Sequence, residues 1–293
     1  LELSDEADIE AITGRFLPYS DFNFVSMWSY DLKGEMRIAE LNGNLVVRFS
    51  DYLTEEPLYS FIGDAKVTET AQALLELSGK EGLEQKLQLV PEVTAKLIDP
   101  GLLSVEEERN HFDYILSLEK LGDFEQSRLN GHASFKRRFL EQYPQSEAKI
   151  LELNTVEHRV EVMSLTTIWI ENKAKQTKSF LNHLEEAVKR FLVIHDLHNQ
   201  NLVSIGISLE GKLIAFTINE LVNADYAVCH FMKGDNSHKG IYSHLVSESA
   251  KALLQRGCKY VNFEQDLGLL NLRQSKKTFE PVDFLKKYSV TSL

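Results

Sequence analysis

The 293-residue chain is short of cysteine, proline, long apolar runs and positive charge. Two cysteines, Cys229 and Cys258, are too few for a disulfide framework and lack the spacing of a zinc site. No metal is therefore expected, and a reducing, cytoplasmic setting is the default. No apolar run approaches the roughly 18 residues of a membrane-spanning helix, so no integral membrane segment is expected. Apolar residues make up 43% and charged residues 26%. This ordinary balance excludes a disordered chain, a collagen-like repeat and a coiled coil. At roughly 150 residues per domain, the length points to two domains or one large one. The chain opens on Leu1 rather than Met, so an N-terminal piece, including any targeting segment, is expected to be missing.

The deficit of positive charge is local. Residues 1–125 carry 10 Lys and Arg against 26 Asp and Glu, whereas residues 251–293 carry 8 against 4. An acidic front half repels nucleic acid and anionic membranes at long range, which argues against a general nucleic-acid-binding protein. The basic C-terminal stretch suits a local anion site, while Lys277, Lys286 and Lys287 read individually as solvated surface charges.

The clearest pattern lies in the second half. Leu202–Leu209, Leu213–Leu221 and Tyr226–Met232 read as three strands of an antiparallel meander joined by short turns. A helix follows over Ile241–Gln255, opened by Gly240 and closed by Gly257. Next come a strand at Lys259–Phe263, a short helix from Gly268 to Lys277 and a strand from Val282 to Val290. Helices at Thr155–Ile170 and Ser179–Ile194 precede the meander. The front half repeats the order more faintly: helices at Ala7–Phe16 and Phe22–Ser29, strands at Met36–Leu41 and Leu45–Phe49 around Asn42-Gly43-Asn44, and a strand at Leu58–Ile62. A helix at Val67–Leu77, a strand at Leu87–Val90, a helix at Glu92–Leu97 and a strand at Tyr114–Leu118 complete it. The expected fold class is α/β (α+β), with mixed sheets flanked by helices in two tandem domains, 1–118 and 155–293, joined by a helical connector at 119–154. This order resembles that of the GNAT acetyltransferase superfamily, in which an acyl donor's phosphate rests on the start of the helix after the meander.

Chemistry concentrates in residues 261–288. Glu264 and Asp266 are two apart and share a strand face if the strand persists. Arg273 and Lys276, three apart, share a helix face. Two acids and two bases then converge at one strand–helix turn. Cations there neutralise a phosphate, an acceptor carboxylate or a developing oxyanion, and a carboxylate orients an amine or accepts a proton. The same residues also suit plainer roles, Asp266 as a helix N-cap and Glu264 with Arg273 as a structural ion pair. Upstream, Lys239 and Gly240 open the Ile241 helix and are the residues offered to an acyl-CoA phosphate. Ile241-Tyr242 stand where such a loop wants a second small residue.

The run Asn262, Glu264, Asp266, Leu267, Gly268, Leu272, Arg273, Lys276, Phe279, Pro281 and Lys287-Tyr288 resembles the signature of the phosphatidylglycerol lysyltransferase C-terminal domain family. Ser20-Asp21-Phe22-Asn23-Phe24, with Met27-Trp28, is similar to that family's opening segment. The resemblance spans essentially the whole chain. It implies a double GNAT fold akin to the Fem peptidyltransferases, which take amino acids from aminoacyl-tRNA, and a transferase with a small-molecule or lipid-headgroup acceptor. The donor implied is aminoacyl-tRNA, with acyl-CoA as the alternative from the GNAT side, and a tRNA contact follows from the first. GNAT enzymes also make Tyr288 a candidate proton donor to the leaving group, although a packed C-terminal strand aromatic is the stronger reading. The chain departs from the lysyltransferases in its acidic balance, in having no membrane-spanning half and in a connector, Leu129 to Arg138, only loosely like theirs. The leading expectation is an acyl or aminoacyl transferase acting on an amine or hydroxyl. The rivals are an acyl-CoA N-acyltransferase and a non-catalytic binding protein on the same fold.

Other signals are weaker. His195-Asp196-Leu197-His198 lacks a third metal ligand and reads as a helix-end pair. His230, His238 and His244 surround the proposed donor helix, and Cys229 reads as core.

Overall fold

The computed structural model describes residues 1–174, 181–195 and 201–293, and resolves two compact units, both discontinuous in sequence. The first comprises Leu1–Tyr114, Glu264–Gln274 and Phe284–Leu293; the second comprises Ile115–Phe263 and Ser275–Asp283.

The first unit opens with helices α1 (Glu6–Thr13) and α2 (Phe24–Tyr30), the latter capped by Asn23, whose side chain accepts from the Ser26 amide at 2.9 Å. Strands β1 (Arg37–Leu41) and β2 (Asn44–Ser50) pair antiparallel through Asn42-Gly43, both in the left-handed region at φ 57° and 82°. Two residues of positive φ are what a tight hairpin demands, because that turn matches the strand twist. Strand β3 (Pro57–Ile62), helix α3 (Val67–Lys80), strand β4 (Lys86–Pro91), helix α4 (Glu92–Ala95) and strand β5 (Leu103–Glu107) follow. Helix α3 buries Val67, Ala71, Leu74, Leu75 and Ser78, a spacing that places one face on the sheet. That face meets Phe61, Leu87, Val90 and Val290, all 0% exposed, and each such side chain contributes about 1.5–3 kcal/mol. The sheet runs β1-β2-β3-β4, then the C-terminal strand Lys287–Ser292, then β5.

The chain passes into the second unit within strand β6 (Asp113–Ser117). Helices α5 (Leu118–Gly122) and α6 (Asn130–Gln142), strand β7 (Glu147–Ile150) and helices α7 (Val156–Ala174) and α8 (Leu181–His195) come next. Strands β8 (Leu202–Leu209), β9 (Lys212–Leu221) and β10 (Tyr226–Gly234) form the meander. Helix α9 (Ile241–Leu254), strand β11 (Tyr260–Asn262), helix α10 (Leu270–Lys277) and strands β12 (Asp283–Leu285) and β13 (Lys287–Ser292) finish the chain. The second sheet runs β12-β6-β11-β10-β9-β8-β7.

Each sheet contains three antiparallel strands, a helix, and a strand parallel to the third, which is the tandem GNAT-like order expected: β4 runs parallel to β3, and β11 to β10. The expected domain boundaries give way to a different partition. Strand β13 pairs antiparallel with β4 and β5, so the C-terminus of the chain completes the first sheet. Strand β6, expected in the first domain, pairs with β11 in the second sheet. The single strand expected over 282–290 breaks at Lys286 into β12 and β13. Residues 119–154 are no mere connector, because α6 packs on α9 and β7 pairs with β8. Strand β5 escaped the sequence reading because its Ser104, Val105, Glu106 and Glu107 are only half-buried or exposed at an edge. No helix among the described residues is long and apolar enough to cross a membrane. Cys229 and Cys258 are free and buried, while Asp196 to His198 and the expected helix start at Ser179 lie outside the described residues.

Two features of the second unit carry predictions. Gly240 has φ 90°, and a Cβ there would stand 2.3 Å from the Phe135 carbonyl oxygen. Gly240→Ala is therefore expected to cost about 2 kcal/mol or more, combining left-handed strain with displacement of α6. An unchanged urea midpoint would contradict this. His244 stacks on Phe139 at 5.2 Å, and its pKa is pushed down to about 4, by burial first, with Glu248 opposing and Lys136 and Lys251 adding to it. The unfolded chain binds a proton near pH 6.5, the folded one only near 4. His244 therefore contributes stability above pH 6.5 that is lost as pH falls toward 4. Relative to wild type, His244→Phe should lose stability less steeply between pH 6.5 and 4, read from urea melts across that range.

Candidate functional site

The signature segment does not continue as a strand. Strand β11 stops at Asn262, and the chain then turns through Glu264 (φ 55°), Leu267 (φ 54°) and Gly268 (φ 73°). Three left-handed residues in five are costly for L-amino acids and persist only where surrounding bonds fix them. Here those bonds converge on Asp266. Its side chain is 0% exposed and accepts from five donors, all within the first unit. Arg273 grips it bidentately, Nε to Oδ2 at 2.9 Å and Nη2 to Oδ1 at 2.8 Å. The Gly268 amide donates to Oδ1 at 2.9 Å, the Tyr114 hydroxyl to Oδ2 at 2.5 Å, and Arg109 Nη1 to Oδ2 at 3.3 Å. Arg273 Nη2 also donates to Asn110 Oδ1 at 2.7 Å. A Cβ on Gly268 would lie 3.1 Å from the Asn110 amide, so glycine is needed for closeness as well as for φ.

Burial alone would raise the pKa of Asp266. The bonds from Arg273, Tyr114 and Gly268 outweigh it and hold the carboxylate below its usual range. A carboxylate so occupied holds guanidinium groups in place; it has little capacity left to accept a substrate proton. The structure accordingly places Asp266 in a closed hydrogen-bonded cluster with Arg273, Arg109, Tyr114 and Gly268. Glu264 does not share a strand face with Asp266, since the strand ends before either; its Oε1 lies 3.5 Å from Ser26 Oγ, half-buried. Lys276 does not join the Asp266 cluster: its Nζ donates to the Phe263 carbonyl.

A second buried cluster lies in the same unit. Lys287, Asp21 and Asp113 each have side chains 0% exposed. Lys287 Nζ pairs with Asp21 Oδ2, donates to Asp113 Oδ1 at 2.7 Å and reaches Ser20 Oγ at 3.3 Å. Ser20 donates to Asp113 through both its amide (2.8 Å) and its hydroxyl (2.7 Å). Gln265 Nε2 donates to Asp21 Oδ1 at 2.9 Å, and His111 Nδ1 donates to Gln265 Oε1 at 2.8 Å. Burial disfavours the Lys287 ammonium, but Asp113 and Asp21 together hold its pKa above the ordinary lysine value. Burial drives Asp21 upward, with Lys287 opposing and Asp113 reinforcing. Lys287 is thus no solvated charge. It ties the Ser20-Asp21 segment to β13, while Gln265, next to Asp266, joins the two clusters. The charge pattern missed this; the signal was the paired appearance of Ser20-Asp21 and Lys287-Tyr288 in the two matching segments. Arg109, Tyr114, His111 and Asp113 were not singled out, because the run 106–114 reads only as part of an acidic half.

Tyr288 stands apart from Asp266 in its bonding. Its hydroxyl donates to Glu107 at 3.2 Å and Glu92 at 3.4 Å, and its pKa is pushed up to about 12 by burial, then by Glu92 and Glu107. Lys239 is exposed, and at Gly240 the Ile241 amide already donates to the His238 carbonyl at 3.1 Å. With the Phe135 carbonyl crowding Gly240, the start of α9 is less open than a phosphate cradle requires. His230, by contrast, is buried against Glu220 at 2.9 Å.

None of the curated proteins matches the chain in sequence. Among solved structures, it is similar to a protein of unknown function from Bacteroides thetaiotaomicron, with 24% identity over 100% of this chain and 98% of that one and a TM-score of 0.85. It is similar also to the C-terminal domain of a putative lysylphosphatidylglycerol synthetase from Agrobacterium fabrum, with 12% identity, 98% and 91% coverage and a TM-score of 0.66. The structure of L-PGS from Bacillus licheniformis gives 13%, 99% and 92%, and 0.62. At these identities the structures establish a shared fold. The sequence description "phosphatidylglycerol lysyltransferase, C-terminal" matches residues 22–291, a span that takes in the Asp266 cluster and, of the Lys287 cluster, all but Ser20 and Asp21. The protein belongs to the phosphatidylglycerol lysyltransferase C-terminal family.

Proposed function

We propose that this protein transfers an aminoacyl group from an activated ester donor, in the manner of aminoacyl-tRNA, to an amine or hydroxyl acceptor. Family membership over residues 22–291 supports a transferase reading. The observation that carries the reading is the bidentate Asp266–Arg273 pair, held by a left-handed turn at the end of β11. In such a transfer the acceptor's nitrogen or oxygen attacks the ester carbonyl. A bond to that carbon forms, the ester C–O bond breaks, and the acceptor's proton ends on the departing oxygen. Negative charge develops on the carbonyl oxygen in between, and Arg273 is the group we assign to neutralise it or an adjacent phosphate. Asp266 is then a positioning residue that fixes the guanidinium plane. Glu264, outside the bidentate pair, is the carboxylate we assign to orient the incoming nucleophile.

The test offers the purified protein radiolabelled aminoacyl-tRNA pools or labelled acetyl-CoA, with amine acceptors and phosphatidylglycerol vesicles. Label passing from tRNA to an acceptor above the hydrolysis blank, and lost in Arg273→Lys, is the expected result. Turnover with acetyl-CoA and none with any tRNA pool would replace this reading with the acyl-CoA one.

A further inference from the structure

Asp266 has more cations than it needs. Arg273 alone satisfies it through two short bonds, and the Tyr114 hydroxyl occupies Oδ2 as well. Arg109 reaches the same Oδ2 only at 3.3 Å, as the third donor on one oxygen. Its position is set elsewhere: its Cζ lies over the rings of Phe112, Tyr114 and Phe284 at 5.3, 5.2 and 4.8 Å, and its Nη2 donates to the Tyr114 hydroxyl at 2.9 Å. Three aromatic faces therefore hold a guanidinium whose charge the buried carboxylate does not consume. One carboxylate between two guanidiniums leaves that trio with a net positive charge. The nearby Lys286 is neutralised by Glu107 at 2.6 Å and does not add to it.

Both arginines are within reach of solvent, with side chains 35% exposed for Arg109 and 21% for Arg273. A guanidinium carries five N–H donors. Arg109 uses two of them on Asp266 and Tyr114, and Arg273 uses three on Asp266 and Asn110. Arg273 is also engaged with the Tyr114 hydroxyl, so among the described residues three donors of Arg109 and one of Arg273 meet no protein acceptor. Four donors on two planar forks suit the three terminal oxygens of a phosphate group.

We propose that Arg109, braced on Phe112, Tyr114 and Phe284, binds a phosphate group together with Arg273. The phosphate is that of a nucleotide or of a phosphoglycerol headgroup. Its place as donor or acceptor rests on the transferase reading; the affinity of the pair for phosphate does not.

Calorimetric titration with inorganic phosphate, adenosine monophosphate and glycerol 3-phosphate, at ionic strength held constant with chloride, tests this. Wild type is expected to bind inorganic phosphate at one site, and Arg109→Gln to weaken it at least 10-fold. Arg15→Gln, which removes the same charge from an exposed arginine paired with Asp64, should bind as wild type does. Should Arg109→Gln fail to fold, Arg109→Lys keeps the charge without the fork and should weaken binding at least threefold. Tighter binding of adenosine monophosphate assigns the site to the nucleotide, and tighter binding of glycerol 3-phosphate to the headgroup. Absence of phosphate binding by wild type overturns the proposal, as does equal binding by Arg109→Gln (or Arg109→Lys in its place) and Arg15→Gln. Intact phosphate binding without aminoacyl transfer overturns only the transferase reading.

Discussion

Lys287→Met should be the most destabilising single substitution in the first unit, by about 3–5 kcal/mol at pH 7, because it strands two carboxylates with no cation beside them. Methionine fills nearly the same volume, so the loss is electrostatic rather than a cavity effect. Asp21 and Asp113 are fully buried, and neither can recover the solvation that its pairing with Lys287 replaced. The sign of the pH dependence follows. With Lys287 gone, burial and the neighbouring Asp113 carboxylate raise the folded-state pKa of Asp21 further above the unfolded value near 4. A group raised in this way contributes stability below the unfolded pKa that is lost as pH rises through the folded one. The variant should therefore recover most of its deficit as pH falls toward 4. The triple variant Asp21→Asn, Asp113→Asn, Lys287→Met should recover much of it at pH 7, since a neutral hydrogen-bonded cluster escapes the charge penalty. Urea unfolding at pH 7 and pH 4.5 measures both. A Lys287→Met protein within 1 kcal/mol of wild type at pH 7 would mean that the cluster is not ionised as the structure implies.

The same cluster shows where the sequence was readable and where it was not. The meander, its turns and α9 announced themselves, because alternation, Glu210-Gly211 and the apolar spacing of Ile241, Leu245 and Ala250 are local signals. What decides the partition is not local. Whether residues 287–292 pair with β11 or with β4 depends on backbone hydrogen bonds made 180 or more residues away, and no periodicity within the strand records the partner. The site divides in the same way. Asp266 and Arg273, seven apart across one turn, were legible as a pair. Arg109, brought to Asp266 from 157 residues away, was not. Lys287 shows the limit of reading charge residue by residue: beside Lys286 it looks like surface, yet Lys286 sits half-buried at the break before β13 and Lys287, the first residue of that strand, is buried.

Asp266→Ala should destabilise the first unit by about 3 kcal/mol. The carboxylate is buried and five donors point at it, so its removal takes away the acceptor of the 2.5 Å bond from Tyr114 and of the Gly268 amide bond and sets two guanidiniums side by side. Arg273→Ala should cost less, about 1–2 kcal/mol, because Arg109 still supplies Asp266 with a cation and Tyr114 with a partner. The two losses should not add. Once Asp266 is gone, Arg273 has lost both of its carboxylate bonds and keeps Asn110 and Tyr114, and a double-mutant cycle should return a coupling of at least about 1.5 kcal/mol. Acid should narrow the difference between wild type and Asp266→Ala. The folded-state pKa of Asp266 is depressed, so its contribution is present above the unfolded value near 4 and is lost as pH falls through the folded one. Both variants should lose transfer, and stability then separates the roles. If Asp266→Ala abolishes transfer while its urea midpoint stays at the wild-type value, the carboxylate acts on the reacting groups themselves. If the midpoint falls as expected, its work is to hold Arg273 and Arg109 at one distance and one angle, and the chemistry belongs to the guanidiniums.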